Sequence, residues 1–184
     1  MKNISLVHPM IEMEQKAVDF KNEFFAHGEK TINGSNRLDM DKYAYPAWVD
    51  LVSGLNQQEA DLAGQFSHTF FAMTDDGALV GIVNFRHPLI GRFENTGHIG
   101  YSVRPSERRK GYATEILRQM LMHAESMALP VVCLVCAKDN EASQKTITRN
   151  RGKRCRTFEK NDITYEEYEI VLSFLTSGDG CAIS

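Results

Sequence analysis

The residues whose types and spacing could do chemistry are concentrated in one short run, Arg108-Arg109-Lys110-Gly111-Tyr112-Ala113. Three cations precede a glycine, and a helix-forming stretch follows. A diphosphate is held well by several backbone N–H groups at a helix N-terminus, where the macrodipole is positive. Gly111 lets the backbone approach closely or take a positive φ. Ala113 keeps the helix start uncrowded, and Arg108, Arg109 and Lys110 add positive charge. A glycine in a basic loop also describes a solvated turn, so the flanking elements must choose between the two.

Other side chains invite weighing. His98 opens an apolar strand, and imidazole titrates near neutrality, which suits a proton acceptor; it also reads as an ordinary strand residue beside a hairpin. His68 and His87 are weaker candidates of the same kind, and His123 is expected at the surface of its helix. Arg149, Arg151, Lys153, Arg154 and Arg156 form a second basic cluster, which could meet an acidic substrate or a phosphate but reads more readily as a solvated helix end. Cys133 and Cys136 have C-x-x-C spacing, but on a strand residues three apart point to opposite faces, so they do not converge on a metal. With Cys155 and Cys181 they are expected to be reduced thiols.

These residues need elements to position them. Ile4 to Val7 reads as a first strand. Met13, Ala17, Phe20 and Phe24 recur at helical spacing in residues 11–27, and Gly28 is a natural stop. Residues 29–45 are polar and irregular. Tyr43, Tyr45 and Trp48 then cluster ahead of a short helix through Leu51 and Leu55, either as core edge or as a pocket lining. Residues 68–74 and 78–85 form a hairpin around Asp75-Asp76-Gly77. A strand follows at 98–103, a helix at about 113–128, a buried strand at 131–136, and a helix from Glu141 to about Asn150 stopped by Gly152. Strands at 154–159 and 164–174 complete the series. The order predicts one mixed α/β domain spanning 1–175 around a single sheet, with a disordered tail at 176–184.

The loop and its neighbours resemble the GNAT acetyltransferases. Arg108-x-x-Gly111-x-Ala113 matches that family's R/Q-x-x-G-x-G/A signature. Ile99-Gly100-Tyr101-Ser102-Val103-Arg104-Pro105 is similar to its central strand, and Asp139-Asn140-Glu141-Ala142-Ser143 to its Asn-containing helix start. The resemblance covers roughly residues 66–172. It implies a mostly antiparallel sheet of about seven strands, splayed between the fourth and fifth and flanked by helices. It implies acetyl-CoA as co-substrate and no metal. Tyr101, Ser102 and Val103 would pair with the pantetheine arm. Arg108 through Ala113, with Thr114, would hold the diphosphate. Asn140 and Ser143 would meet the pantetheine or adenosine side. Many members carry an acidic Tyr seven residues beyond the Asn; this chain has Ile147, which leaves Tyr101 or water to protonate the thiolate. Many carry a Glu near the start of the central strand, where this chain has His98, the candidate base.

Composition narrows the partners. A net charge of -3 with 24% charged residues gives no reason to expect nucleic acid or an anionic membrane. The N-terminus lacks a secretion signal, so the cytoplasm is expected. The acceptor is expected to be a primary amine of a small, amino-acid-like molecule. An acyl-CoA-binding regulatory module and a peptide N-acetyltransferase are the alternatives, and by analogy a homodimer is possible.

Overall fold

The computed structural model describes residues 2–40, 42–57 and 66–172. Seven strands alternate with four α-helices. They are β1 (Ile4–Val7), α1 (Glu14–Ala26), α2 (Tyr45–Gln57), β2 (Phe66–Thr74), β3 (Leu79–His87), β4 (Ile99–Val103), α3 (Tyr112–Ser126), β5 (Val131–Ala137), α4 (Glu141–Arg149), β6 (Lys153–Lys160) and β7 (Ile163–Val171). The expected tail at 176–184 lies outside the described residues.

The helices follow their apolar spacing. α1 buries Ala17, Phe20 and Phe24. It ends where Gly28 takes φ +76° and Glu29 N–H reaches back to Phe24 O at 3.0 Å, the six-to-one bond of a left-handed C-terminal cap. α3 buries Tyr112, Ile116, Leu117, Met120 and Ala124. α4 starts on Asn140, whose side chain accepts Ser143 N–H at 3.0 Å. Its stop differs from expectation. Arg151, at φ +68°, takes the left-handed position, and Gly152 is required beyond it because a Cβ there would lie 2.3 Å from Ile147 Cγ2.

The strands form two antiparallel sheets, β1-β2-β3-β4 and β5-β7-β6. One core, built from both sheets with α3 and α4, contains Val83, Phe85, Leu117, Met120, Leu134 and Ile170. A second, between the first sheet and the helices α1 and α2, contains Phe20, Trp48, Phe71 and Ile82. β6 lies at the outer margin of its sheet, with most of its residues exposed.

The two sheets meet at one point. His98 N–H donates to Cys133 O at 2.7 Å, and Cys133 N–H donates to Nδ1 of the His98 ring at 2.9 Å. Gly97, at φ +71°, allows this contact, since a Cβ there would lie 2.9 Å from Val135 N. Beyond the clasp β4 and β5 form no ladder, so the expected splay is present.

Five of the six histidines gather behind the clasp. His68 and His123 share a hydrogen bond at 3.1 Å between Nδ1 and Nε2. His87 stacks on His98 with centroids 5.6 Å apart, and His8 packs on Phe70 at 4.5 Å. His123 is thus half-buried against the sheet rather than at the surface, because its helix turns that face onto Phe85. Burial lowers the His98 pKa to about 4, with the His87 and Arg86 charges adding to the effect. Burial, assisted by His123 and His8, brings His68 to about 4 as well.

A folded-state pKa below the unfolded value means that the unfolded chain binds the extra proton first. Stability is therefore complete above the ordinary imidazole range and declines as pH falls from about 6.5 toward 4. His98 alone should cost about 2 kcal/mol by pH 5. Thermal unfolding across pH 5–8 checks this. His98→Gln, which keeps an acceptor for Cys133 N–H but does not titrate, should flatten the slope.

Candidate active site

The splay sets out the backbone of β4 in two directions. In the β3–β4 ladder the bonded pairs fall on even residues of β4, as Arg86 N–H to His98 O and Arg104 N–H to Val80 O show, at 2.8 and 2.9 Å. Alternate residues of an antiparallel strand direct their backbone groups to opposite sides. Tyr101 and Val103 therefore face the gap toward β5. Val103 O already accepts from Arg108 Nε at 3.2 Å. Among the described residues, Tyr101 N–H, Tyr101 O and Val103 N–H have no protein partner. They suit an extended amide-bearing chain, as the pantetheine arm would be. Ser102 does not join them. Its backbone faces β3, opposite Ile82, and its hydroxyl donates to Asn33 O at 2.9 Å.

The loop after β4 ends on Gly111, at φ +89°, which is the residue before α3. Thr114 and Glu115 N–H both return to Gly111 O, at 3.1 and 3.2 Å. Among the described residues, the N–H groups of Arg109, Lys110, Gly111, Tyr112 and Ala113 have no protein acceptor. Five consecutive donors at the positive end of a 15-residue helix fit a diphosphate. The Thr114 amide is spent inside the turn, and the Tyr112 ring is buried in the core. Both residues were expected to meet the cofactor; here Thr114 offers no amide and Tyr112 offers only its own.

The loop's cations mostly serve the protein itself. Arg108 donates to Glu29 at 2.9 Å and lies over the Phe24 ring at 5.4 Å. Lys110 pairs with Glu107 at 3.0 Å. Arg109 has no carboxylate partner among the described residues. Arg104, upstream, is part-buried and paired: its Nε donates to Glu23 at 2.5 Å, and Ser106 N–H reaches the same carboxylate at 2.6 Å. Burial raises the Glu23 pKa, but the Arg104 and Ser106 hydrogen bonds prevail and bring it to about 2. α1 thus fixes the start of the loop.

On the far side of the gap, Asn140 spends its side-chain oxygen on capping α4 and is not free there for a ligand. Ser143 Oγ lies 3.1 Å from Tyr101 Oη. Burial raises the Tyr101 pKa to about 12, although Ser143 and Thr146 pull it down. Its phenol therefore keeps its proton at neutral pH. Ile147 is fully buried and packed over Gly152. Position 147 therefore belongs to the core.

His98 does not fit the expectation of a base. Its Nδ1 lone pair already accepts from Cys133, so its proton sits on Nε2 and no lone pair is free. The aromatic cluster is both core and lining. Tyr45 and Trp48 are buried, and with Tyr43, Glu14 and Lys21 they edge a cavity of about 180 Å³ between α1 and α2. The second basic cluster lies largely on β6 rather than on a helix end, with Arg154 and Arg156 paired to Glu166 and Glu167. Arg86, which sequence reasoning passed over, comes to lie beside β4. It falls just beyond the strand expected at 78–85 and carried no signal of its own. Cys133 and Cys136 point to opposite faces as expected, Cys136 being buried. Among the described residues no group of three or more ligating side chains could hold a metal, and no helix is long and apolar enough to cross a membrane.

Residues 31–153 match the profile of the GNAT acetyltransferase domain. No curated protein matches the sequence. Three solved structures share the fold at low identity. The microcin C7 self-immunity acetyltransferase MccE, in complex with acetyl-CoA and AMP, aligns with TM-score 0.70 and 17% identity, over 92% of each chain. RimL, a ribosomal L7/L12 α-N-protein acetyltransferase in complex with coenzyme A, gives 0.68 and 14%, over 94% of this chain and 96% of its own. A chimera of the Vibrio cholerae spermidine N-acetyltransferase SpeG and hSSAT gives 0.63 and 12%, over 91% and 95%.

The amide run makes a direct prediction. Gly111→Val puts a branched Cβ on a positive-φ residue among the free amides and should weaken coenzyme A binding by about 100-fold or more, measured by calorimetry, since both backbone and approach are disturbed. The profile match spans more than half of the sequence, and on that ground the chain belongs to the GNAT family of N-acetyltransferases.

Proposed function

We propose that the protein transfers the acetyl group of acetyl-CoA to a primary amine of a small, amino-acid-like molecule by direct attack within a ternary complex. The observation that carries this is the run of five free amides before α3, continuous with the open backbone of Tyr101 and Val103. Together they make a track for a diphosphate and an extended amide arm, ending at the gap between β4 and β5. Acetyl-CoA supplies the activated acyl group; the protein's part is to place it and manage protons.

Tyr101 N–H faces the gap and supplies a donor for the charge that develops on the carbonyl oxygen. The Tyr101 phenol, held protonated, supplies the proton the departing thiolate needs. No imidazole lone pair is free at His98, so the amine enters neutral and sheds its remaining proton to solvent. Most of the rate gain then comes from positioning.

The acceptor's size is argued from the front of the gap. The loop after α1 lies on β4, where Asn33 O accepts from Ser102 and Gly34 packs directly on Gly100. That cover favours a small molecule over a peptide. The alternative of a regulatory module rests on Ile147, and Tyr101 answers it by offering another acid.

Release of free thiol from acetyl-CoA, with and without a panel of amines, tests the reading. Tight acetyl-CoA binding with no thiol release from any amine would favour the regulatory module. Tyr101→Phe should lower kcat by about 100-fold while the KM for acetyl-CoA stays within a few-fold. An unchanged kcat removes the phenol from the reaction.

A further inference from the structure

Arg86 is a half-buried guanidinium with no carboxylate partner among the described residues. Arg104, Arg108, Arg118, Arg154 and Arg156 each pair with a glutamate. Arg86 donates only to two backbone carbonyls, Nε to Gly97 O at 2.7 Å and Nη2 to Thr96 O at 3.2 Å. A guanidinium has five N–H donors, so three remain without a protein acceptor. Taking a cation out of water without an anion costs several kcal/mol, and burial lowers the Arg86 pKa to about 10. Yet these donors are not sealed off: among the described residues the only buried side-chain polar atom without a partner is His87 Nδ1.

The placement of this cation matters. Arg86 follows Ile82 and Asn84 on the face of β3 that carries α1 and α2. Its Nη2 occupies the room left by Gly100, where a Cβ would lie 3.0 Å away. Gly100 sits on β4 between the clasp at His98 and the open backbone of Tyr101. The neighbouring side chain, Asn84, is already bonded to Ser67 and Thr69 at 2.8 and 3.0 Å and brings no charge. A positive fork therefore stands beside the mouth of the gap, on the side away from α3 and α4, with its Nη1 edge uncommitted.

We infer that Arg86 binds an oxyanion of the acceptor, so that the enzyme prefers amines carrying a carboxylate or phosphate over neutral amines and polyamines. The inference rests on the acetyl-transfer reading and adds the acceptor's charge to it. The fork geometry suits a bidentate oxyanion, and the uncommitted Nη1 edge, which is not sealed from solvent, is where one would dock. Arg86 acts here as a specificity residue: it holds the acceptor and takes no part in proton transfer.

The test compares four acceptors at saturating acetyl-CoA: an α-amino acid, its carboxamide, an aminoalkyl phosphate and spermidine. The wild-type kcat/KM should favour the carboxylate or the phosphate over the carboxamide by about 30-fold or more, and which of the two leads identifies the anion. Arg86→Met should raise the KM for the favoured anion by a similar factor, leave kcat and the acetyl-CoA KM within a few-fold, and erase the preference. Arg86→Lys should restore part of it. Equal effects of Arg86→Met on anionic and neutral acceptors, or a wild-type preference for the carboxamide or spermidine, would overturn the inference while leaving acetyl transfer intact. Absence of transfer to every amine would instead count against the reaction. Calorimetry on the wild-type coenzyme A complex then still decides the anion site, since equal or undetectable binding of both anions and carboxamide overturns it. That measurement also serves if Arg86→Met fails to fold.

Discussion

Everything about this cleft follows from the two hydrogen bonds between His98 and Cys133. A single residue of β5 has both its backbone groups answered by the residue just before β4, once through the backbone and once through the ring. Each such bond contributes only about 1 kcal/mol net, but their placement is what counts. They join the sheets at one end and leave nothing to pair at the other. Had the ladder continued, Tyr101 and Val103 would have spent their polar groups on β5, and no ligand could use them. The clasp thus sets where the gap begins, and the packed histidines and phenylalanines behind it hold the hinge of the wedge rigid.

The second organising feature is the way α1 holds the loop. Glu23 receives both the Arg104 guanidinium and the Ser106 amide, while Arg108 runs along Phe24 to Glu29. Positive residues that look from sequence like ligand-binding charges are largely engaged by the protein's own carboxylates. What remains for a ligand is backbone, and backbone donors in fixed positions need no side-chain ordering when they bind. The loop's chemistry is therefore in its geometry more than in its charge.

Much of this was legible in the sequence because it is local. Helical spacing of Ala17, Phe20 and Phe24, alternation along β7, and the glycine before α3 each specify their element without help from distant parts of the chain. Side-chain roles were less legible because they depend on partners far away in sequence. Ser102 sits in the matching strand, but which way its backbone faces is settled by the β3 register. His98 looks like a base until its ring is seen to accept from a residue on another sheet. Arg151, not Gly152, takes the left-handed position because the Ile147 side chain claims the space beneath Gly152. Arg86 carried no pattern at all; only the absence of a carboxylate around it gives it meaning.

The outermost strand of the second sheet has a consequence of its own. Among the described residues one margin of β6 has no partner strand, a template on which foreign strands can add. Lys153, Arg154, Arg156 and Lys160 lie along it, so a second copy docking by the same margin would bring like charges together. The register shift between Arg154 and Arg156 breaks the regular spacing such docking needs. Charge and irregular spacing thus both disfavour edge-to-edge addition at this strand, the devices by which an open margin resists aggregation.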